Sequence, residues 1–183
     1  MRQTELHLSE EDRAAVEEVR SKGLHHSREV NRAHMLACLD RGIPEAQILA
    51  VLDVAEVDAS PVVQACCAAL WMFSESPAGP PAARGFLARA RAAALPCTER
   101  ERLFFAAVEC WVEGDIAQAL ALHLQLAAEH PRDLAALKLG QYHAFNLGDA
   151  PTMLRLALLA APAAADVAEF HGMLAFGHEQ CHA

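Results

Sequence analysis

The sequence predicts an all-α protein, and three observations carry the prediction. Of the 183 residues, 54% are hydrophobic, many of them alanine or leucine, while 5% are aromatic, which is typical of closely packed helices. Runs of Val, Ile, Thr and Tyr, which favour strands, are nearly missing. Residues 103–115 also align with residues 137–149 at an offset of 34 (137 − 103), and both segments end in Gly-Asp. This period indicates helix–turn–helix units that cannot bury their apolar faces alone.

Charge and hydropathy restrict the class of function. The net charge of −9 and the isoelectric point near 5.5 argue against broad affinity for nucleic-acid phosphates. No apolar stretch is long enough to span a bilayer, and the acidic start does not resemble a signal peptide. We therefore expect a soluble, cytoplasmic protein. The six cysteines lack the paired spacing of a zinc site and are interpreted as buried reduced thiols.

Residues 1–53 predict three short helices. Ser9 precedes three acidic residues, a typical capped start for a helix over 10–22. A second helix follows from Ser27, and a third covers 45–52 after Pro44. We expect this segment to be separate from a repeat array over 54–183.

The N-terminal segment resembles the start of insertion sequence 630 type transposases. The residues that carry the resemblance are 8–13, 27–36 and 40–52. It implies that 40–52 is the first helix of an incomplete helix-turn-helix, since no Lys or Arg occurs between Arg41 and Arg84. Residues 1–53 carry seven Lys and Arg against ten Asp and Glu. A DNA-binding remnant and a helical cap on the array are both possible interpretations.

The remaining chain predicts antiparallel helix pairs. Ser60-Pro61 begins a helix that ends at Phe73, residues 74–81 form a turn, and 82–94 form the return helix. Thr98 and Glu101 have the spacing of a capping box, which places the start of the first clear repeat.

The clear repeats continue to the C-terminal residues. The second helix of the first repeat covers 115–129, and the next unit covers 132–147 with a return helix that ends at Pro162. The first helix of a third unit is expected over 164–182, without a second helix. Its uncovered apolar face over 164–183 predicts self-association or marginal stability.

Residues of about 63–181 resemble the tetratricopeptide repeat protein 38 family. The blocks that carry the resemblance are 99–102, 111–115, 119–122, 130–137, 143–149 and 172–181. The resemblance implies an α–α superhelix that acts as a binding scaffold without a well-defined molecular activity. Because this repeat array is joined near Asp53 to the transposase-like segment, the two resemblances together suggest a fused or truncated reading frame.

The main functional prediction is non-catalytic protein interaction, with no cofactor and an unidentified protein or peptide partner. We expect the first helices of the units to line a concave groove. The candidate groove residues are Glu109, Glu113, Gln141, His143 and Asn146. The expected packing residues are Leu103, Trp111, Leu137 and Phe145.

A terminal HExxH pattern provides the alternative of a zinc-dependent hydrolase. His178 and His182 lie one helical turn apart with Glu179 between them, and His171 would share their face. The pattern lies at the end of the repeat array rather than inside a fold with a downstream third ligand, so catalysis is the weaker alternative.

Overall fold

The computed structural model describes residues 8–21 and 55–181, which contain helices and no strand. The chain divides into two compact units, Met1–Asp53 and Val54–Ala183. In the first unit, helix α1 (Glu10–Ser21) begins as expected at Ser9, whose hydroxyl accepts a hydrogen bond from the Asp12 N–H at 3.1 Å. The helices expected after Ser27 and over 45–52 lie outside the described residues.

After a short helical stretch over 55–57, seven consecutive helices make up the described part of the second unit. They are α2 (Pro61–Phe73), α3 (Gly79–Ala93), α4 (Glu99–Val112), α5 (Ile116–Glu129), α6 (Leu134–Asn146), α7 (Ala150–Ala164) and α8 (Ala168–Gln180). Each helix packs on the next, and α2 also packs on α4, α5 on α7, and α6 on α8. The all-α prediction is confirmed, with the packing of a helical repeat.

Side-chain caps place the helix starts where the sequence predicts them. The capping box is present: the Thr98 hydroxyl accepts from the Glu101 N–H at 3.3 Å, and the Glu101 carboxylate accepts from the Thr98 N–H at 2.8 Å. Three aspartate carboxylates cap the next three helices at 3.0 to 3.1 Å, namely Asp115, Asp133 and Asp149. Ser60 makes no side-chain cap, so Pro61 alone marks the start of α2.

The two Gly-Asp turns are the same structure 34 residues apart. Gly114 (φ 86°) and Gly148 (φ 71°) both adopt the left-handed conformation. In the first turn the Gly114 N–H donates to the Trp111 carbonyl at 3.0 Å and the Asp115 N–H to the Cys110 carbonyl at 2.8 Å. The second turn has the same two bonds at the same distances. This Schellman motif ends each first helix, and its aspartate then caps the second helix.

Three predicted boundaries were wrong. Helix α3 begins at Gly79 rather than 82, because Pro80 and Pro81 lie in its first turn, where a missing N–H costs no hydrogen bond. Helix α7 continues past Pro162 to Ala164, which is 0% exposed and holds the last turn against the core. The next helix, α8, therefore begins at Ala168 rather than 164.

The buried apolar side chains of the second unit form two clusters. One joins α2 to α6 and contains Leu103 and Trp111, and the other joins α5 to α8 and contains Leu137, with Phe145 packed against it. The four predicted packing residues are therefore confirmed. Among the described cysteines, Cys67 is buried and Cys97 is exposed, so the buried-thiol prediction holds only in part. No helix of the described residues has the length and apolar character to cross a membrane.

The repeated turn predicts opposite effects for two glycine substitutions. Gly148→Ala should lower the free energy of unfolding by about 1 kcal/mol, because an alanine is strained at the positive φ of this position. No atom lies within 4 Å of the added Cβ, so a steric clash does not contribute. Gly85→Ala, inside α3 with the same open space, should raise it by about 1 kcal/mol through helix propensity. Urea unfolding of both variants measures the difference, and a stabilising Gly148→Ala would contradict the turn.

Candidate interaction face

Aromatic side chains from three first helices meet at one side of the array. Phe73 ends α2, Trp111 lies near the end of α4, and Tyr142 lies in α6. Ring centroids are 5.2 Å apart for Phe73 and Trp111, 4.9 Å for Phe73 and Tyr142, and 5.5 Å for Trp111 and Tyr142. Trp111 is 7% exposed and Phe73 is 37% exposed. The cluster therefore extends from the core to the surface.

Polar groups surround the exposed edge of this cluster. The Tyr142 hydroxyl points at the Glu75 carboxylate at 3.5 Å, a long contact for a hydrogen bond. Burial raises the pKa of Tyr142, while its hydrogen bond with Asn146 lowers it. Lys138 is exposed four residues before Tyr142, so Lys138, Tyr142 and Asn146 form one stripe along α6. We call Phe73, Glu75, Lys138, Tyr142 and Asn146 the aromatic face.

Of the five predicted groove residues, only Asn146 belongs to the aromatic face. Glu109 and Glu113 each lie two residues from Trp111, about 200° around α4 from it. There they form ion pairs with Arg91 and Arg84 of α3. The Glu113 carboxylate is 2.9 Å from Arg84, which keeps the pKa of Glu113 below its usual value. These two carboxylates join α3 to α4 rather than lining the same surface as Asn146.

Gln141 lies in the interior, not on a binding surface. It is 2% exposed. Its side-chain N–H group donates to the Met153 carbonyl of α7 at 3.3 Å and to the Met173 carbonyl of α8 at 3.0 Å. The amide thus connects α6 to the next two helices. The expectation that it faces a partner is corrected, because a polar side chain can be buried when it finds backbone acceptors.

His143 is also buried, and it packs against a second histidine. His143 and His123 are 1% and 0% exposed, with ring centroids 5.4 Å apart. His143 also meets Trp111 edge-on at 4.8 Å. The Nε2 atoms of both rings and Nδ1 of His123 have no hydrogen-bond partner. Gly140 permits this close contact of α5 and α6, since an added Cβ would lie 2.8 Å from the His123 Cβ.

The terminal HExxH pattern is only partly described. His171 is exposed and its Nε2 lies 2.9 Å from the Ala165 carbonyl oxygen, while Glu179 is exposed and His178 is partly buried. His182 lies outside the described residues. Within residues 8–21 and 55–181, no three His, Cys, Asp or Glu side chains are close enough to hold a metal ion. The described geometry therefore provides no observation in favour of the hydrolase alternative.

Comparison of the chain with protein-family models, curated proteins and solved structures finds no match. The assignment of the aromatic face as a candidate site therefore rests on the geometry of the described residues alone. Sequence reasoning missed four of its members, although the spacing of Lys138, Tyr142 and Asn146 at i, i+4 and i+8 was a usable signal. No sequence signal brings Phe73 and Glu75 to that stripe, because they lie at the end of α2 and in the turn that follows it, with three helices between them and α6.

The buried histidine pair predicts a pH-dependent stability. Burial lowers the pKa of His123 to about 3 and that of His143 to about 4, from 6.5. The unfolded chain therefore binds more protons below pH 6.5, so stability is flat above that pH and falls as the pH drops toward about 4. The expected slope is about 1.4 kcal/mol per pH unit for each histidine.

Urea unfolding between pH 4.5 and 7.5 measures this slope. His143→Leu should reduce it by about half, because one of the two titrating groups is removed. Leu95→Ser changes an exposed residue that does not titrate and serves as the control, with the slope unchanged. An equal slope in wild type and His143→Leu would contradict the assignment.

Proposed function

We propose that the helical array is a non-catalytic protein-interaction module that binds a peptide through the aromatic face. The observation that carries this proposal is the exposed edge of the Phe73, Trp111 and Tyr142 cluster. Aromatic rings at a surface provide a large contact area at low entropic cost, and they are enriched where proteins bind each other. Glu75, Lys138 and Asn146 add charged and amide groups around that edge.

The same groups define the kind of peptide that fits. An apolar or aromatic side chain would pack on the Phe73 and Tyr142 rings, and a carboxylate beside it would pair with Lys138. The Asn146 amide is suited to a peptide backbone group, since it can donate and accept. Such a peptide combines a buried anchor with polar groups at the rim, as in other protein interfaces.

The family and the cellular location of the array are also proposals. The array would belong to the tetratricopeptide repeat protein 38-like proteins and act in the cytoplasm as a scaffold. The repeated Schellman turns and the packing of α5 on α7 support a repeat of this type. A DNA-binding role for residues 1–53 has no supporting observation among the described residues.

Affinity capture from the source organism tests the proposed function. Phe73→Ser and Lys138→Glu should each lose the proteins that the wild type captures, because one removes the exposed ring and the other reverses the rim charge. Leu95→Ser and Arg102→Glu are the matched controls, since Leu95 is 46% exposed and Arg102 is exposed, and neither lies on the face. The controls should retain the captured proteins.

Two outcomes would contradict the proposal. One is equal capture by the wild type and by both face variants, with circular dichroism confirming that all are folded. The other is capture that nuclease treatment removes, because binding would then depend on a nucleic acid.

A further inference from the structure

The turn after α2 places a glutamate where the turns after α4 and α6 have glycine. Each of these three helices is followed by one residue in the right-handed conformation and then by one with positive φ. The positive-φ residue is Gly114 after α4 and Gly148 after α6, but after α2 it is Glu75, with a φ of 47°. The three residues therefore occupy equivalent positions.

Hydrogen bonding agrees with this equivalence. The Glu75 N–H donates to the Met72 carbonyl, three residues earlier, at 3.2 Å. Gly114 and Gly148 each donate to the carbonyl three residues before them, at 3.0 Å. The turn itself needs no side chain at this position, and glycine adopts positive φ more readily than other residues do. A glutamate is strained there, so its side chain is a candidate for a role outside the turn.

The Glu75 side chain extends from this strained turn to the aromatic face. Its Oε1 atom lies 3.5 Å from the Tyr142 hydroxyl, although the two residues are 67 positions apart in the sequence. The Phe73 ring is 4.9 Å from the Tyr142 ring and 37% exposed, and Glu75 is itself exposed. The turn thus holds a carboxylate at the exposed edge of two adjoining rings, where a glycine would leave no charge.

This carboxylate and the cation of the aromatic face act at separate places. Among the described residues Lys138 forms no ion pair with Glu75. Burial lowers the pKa of Lys138, and no neighbouring carboxylate acts to raise it. The face therefore presents two charges of opposite sign that do not neutralise each other. A partner that complements both must carry a positive group for Glu75 as well as a carboxylate for Lys138.

We propose that the peptide bound by the aromatic face carries an arginine that pairs with Glu75 at the edge of the Phe73 and Tyr142 rings. This inference rests on the proposed function and adds a basic group to the partner's chemistry. Arginine fits better than lysine, because its planar guanidinium can donate two hydrogen bonds to one carboxylate and also stacks on aromatic rings. A cation beside such rings gains a further electrostatic attraction.

Two peptides that differ in one charge provide the probes. The first is acetylated and amidated Gly-Arg-Gly-Phe-Gly-Asp-Gly, and the second has citrulline in place of arginine. Citrulline keeps the shape of the side chain but lacks its charge. The glycine spacers leave each peptide free to adopt the spacing that the face requires.

Tyr142 reports the binding, because it is the one tyrosine of the chain. NMR of the full chain with isotope-labelled tyrosine therefore follows a single ring, whose signals should shift saturably with either peptide. The arginine peptide should bind about threefold more tightly than the citrulline peptide, the size of a surface ion pair. The difference should shrink at high salt, because salt screens exposed charges.

Variants at positive-φ positions separate the side chain from the turn. Glu75→Gln keeps the shape of the side chain and should abolish the preference for arginine. Glu75→Gly should do the same and also raise the urea midpoint, because glycine relieves the strain. Ala94→Gly is the matched control, since Ala94 also has a φ of 47° and lies at the end of α3, outside the aromatic face. It should raise the midpoint and leave the preference unchanged.

Failure of this inference is distinguishable from failure of the proposed function. Equal affinity for the two peptides, or an arginine preference that Glu75→Gln does not change, would overturn the role of Glu75 and leave the aromatic face as a binding surface. No saturable shift with either peptide would overturn both. A wild-type dimer in sedimentation equilibrium that Glu75→Gln dissociates would assign Glu75 to a second copy of this chain and overturn the peptide as its partner.

Discussion

The Gly-Asp turn is the local constraint on which the rest of the array depends. Within three residues it must end one helix and begin another. Gly114 and Gly148 adopt positive φ so that the turn can close, and the following aspartate donates its N–H backward and caps the next helix with its carboxylate. Because the connection is this short, the second helix must return against the first. The apolar faces of the two helices then form a ridge that only a neighbouring unit can cover.

Dependence on neighbours explains both the buried polar groups and the exposed surfaces. In the centre, Gln141 reaches carbonyl groups on two following helices, and the histidine pair lies between α5 and α6. In α8 only Phe170 and Gly177 are buried, and on α7 Leu158 is 51% exposed. The aromatic face and Leu158 on α7 are two of the places where this packing leaves apolar side chains in contact with solvent.

The local features of the fold could be predicted from the sequence, because caps and turns depend on neighbouring residues. The capping box at Thr98 and both Gly-Asp turns are examples. The burial of Gln141 and His143 could not, because polarity alone suggested exposure and their neighbours come from other helices. The aromatic face was missed for a related reason. The sequence separations between Phe73 and Trp111 and between Trp111 and Tyr142 differ from the 34-residue period, so aligning the repeats does not place these residues at equivalent positions.

The central claim is that each helix pair is stabilised by its neighbours on both sides, so stability should decrease toward α8. Residue-resolved native-state hydrogen exchange measures this directly, because it reports the free energy of opening for each backbone amide. The amides of α4, α5 and α6 should share the highest free energy of opening, and those of α8 should open at a lower one, since α8 packs mainly on α7. Equal protection of α8 and α5 would contradict the claim.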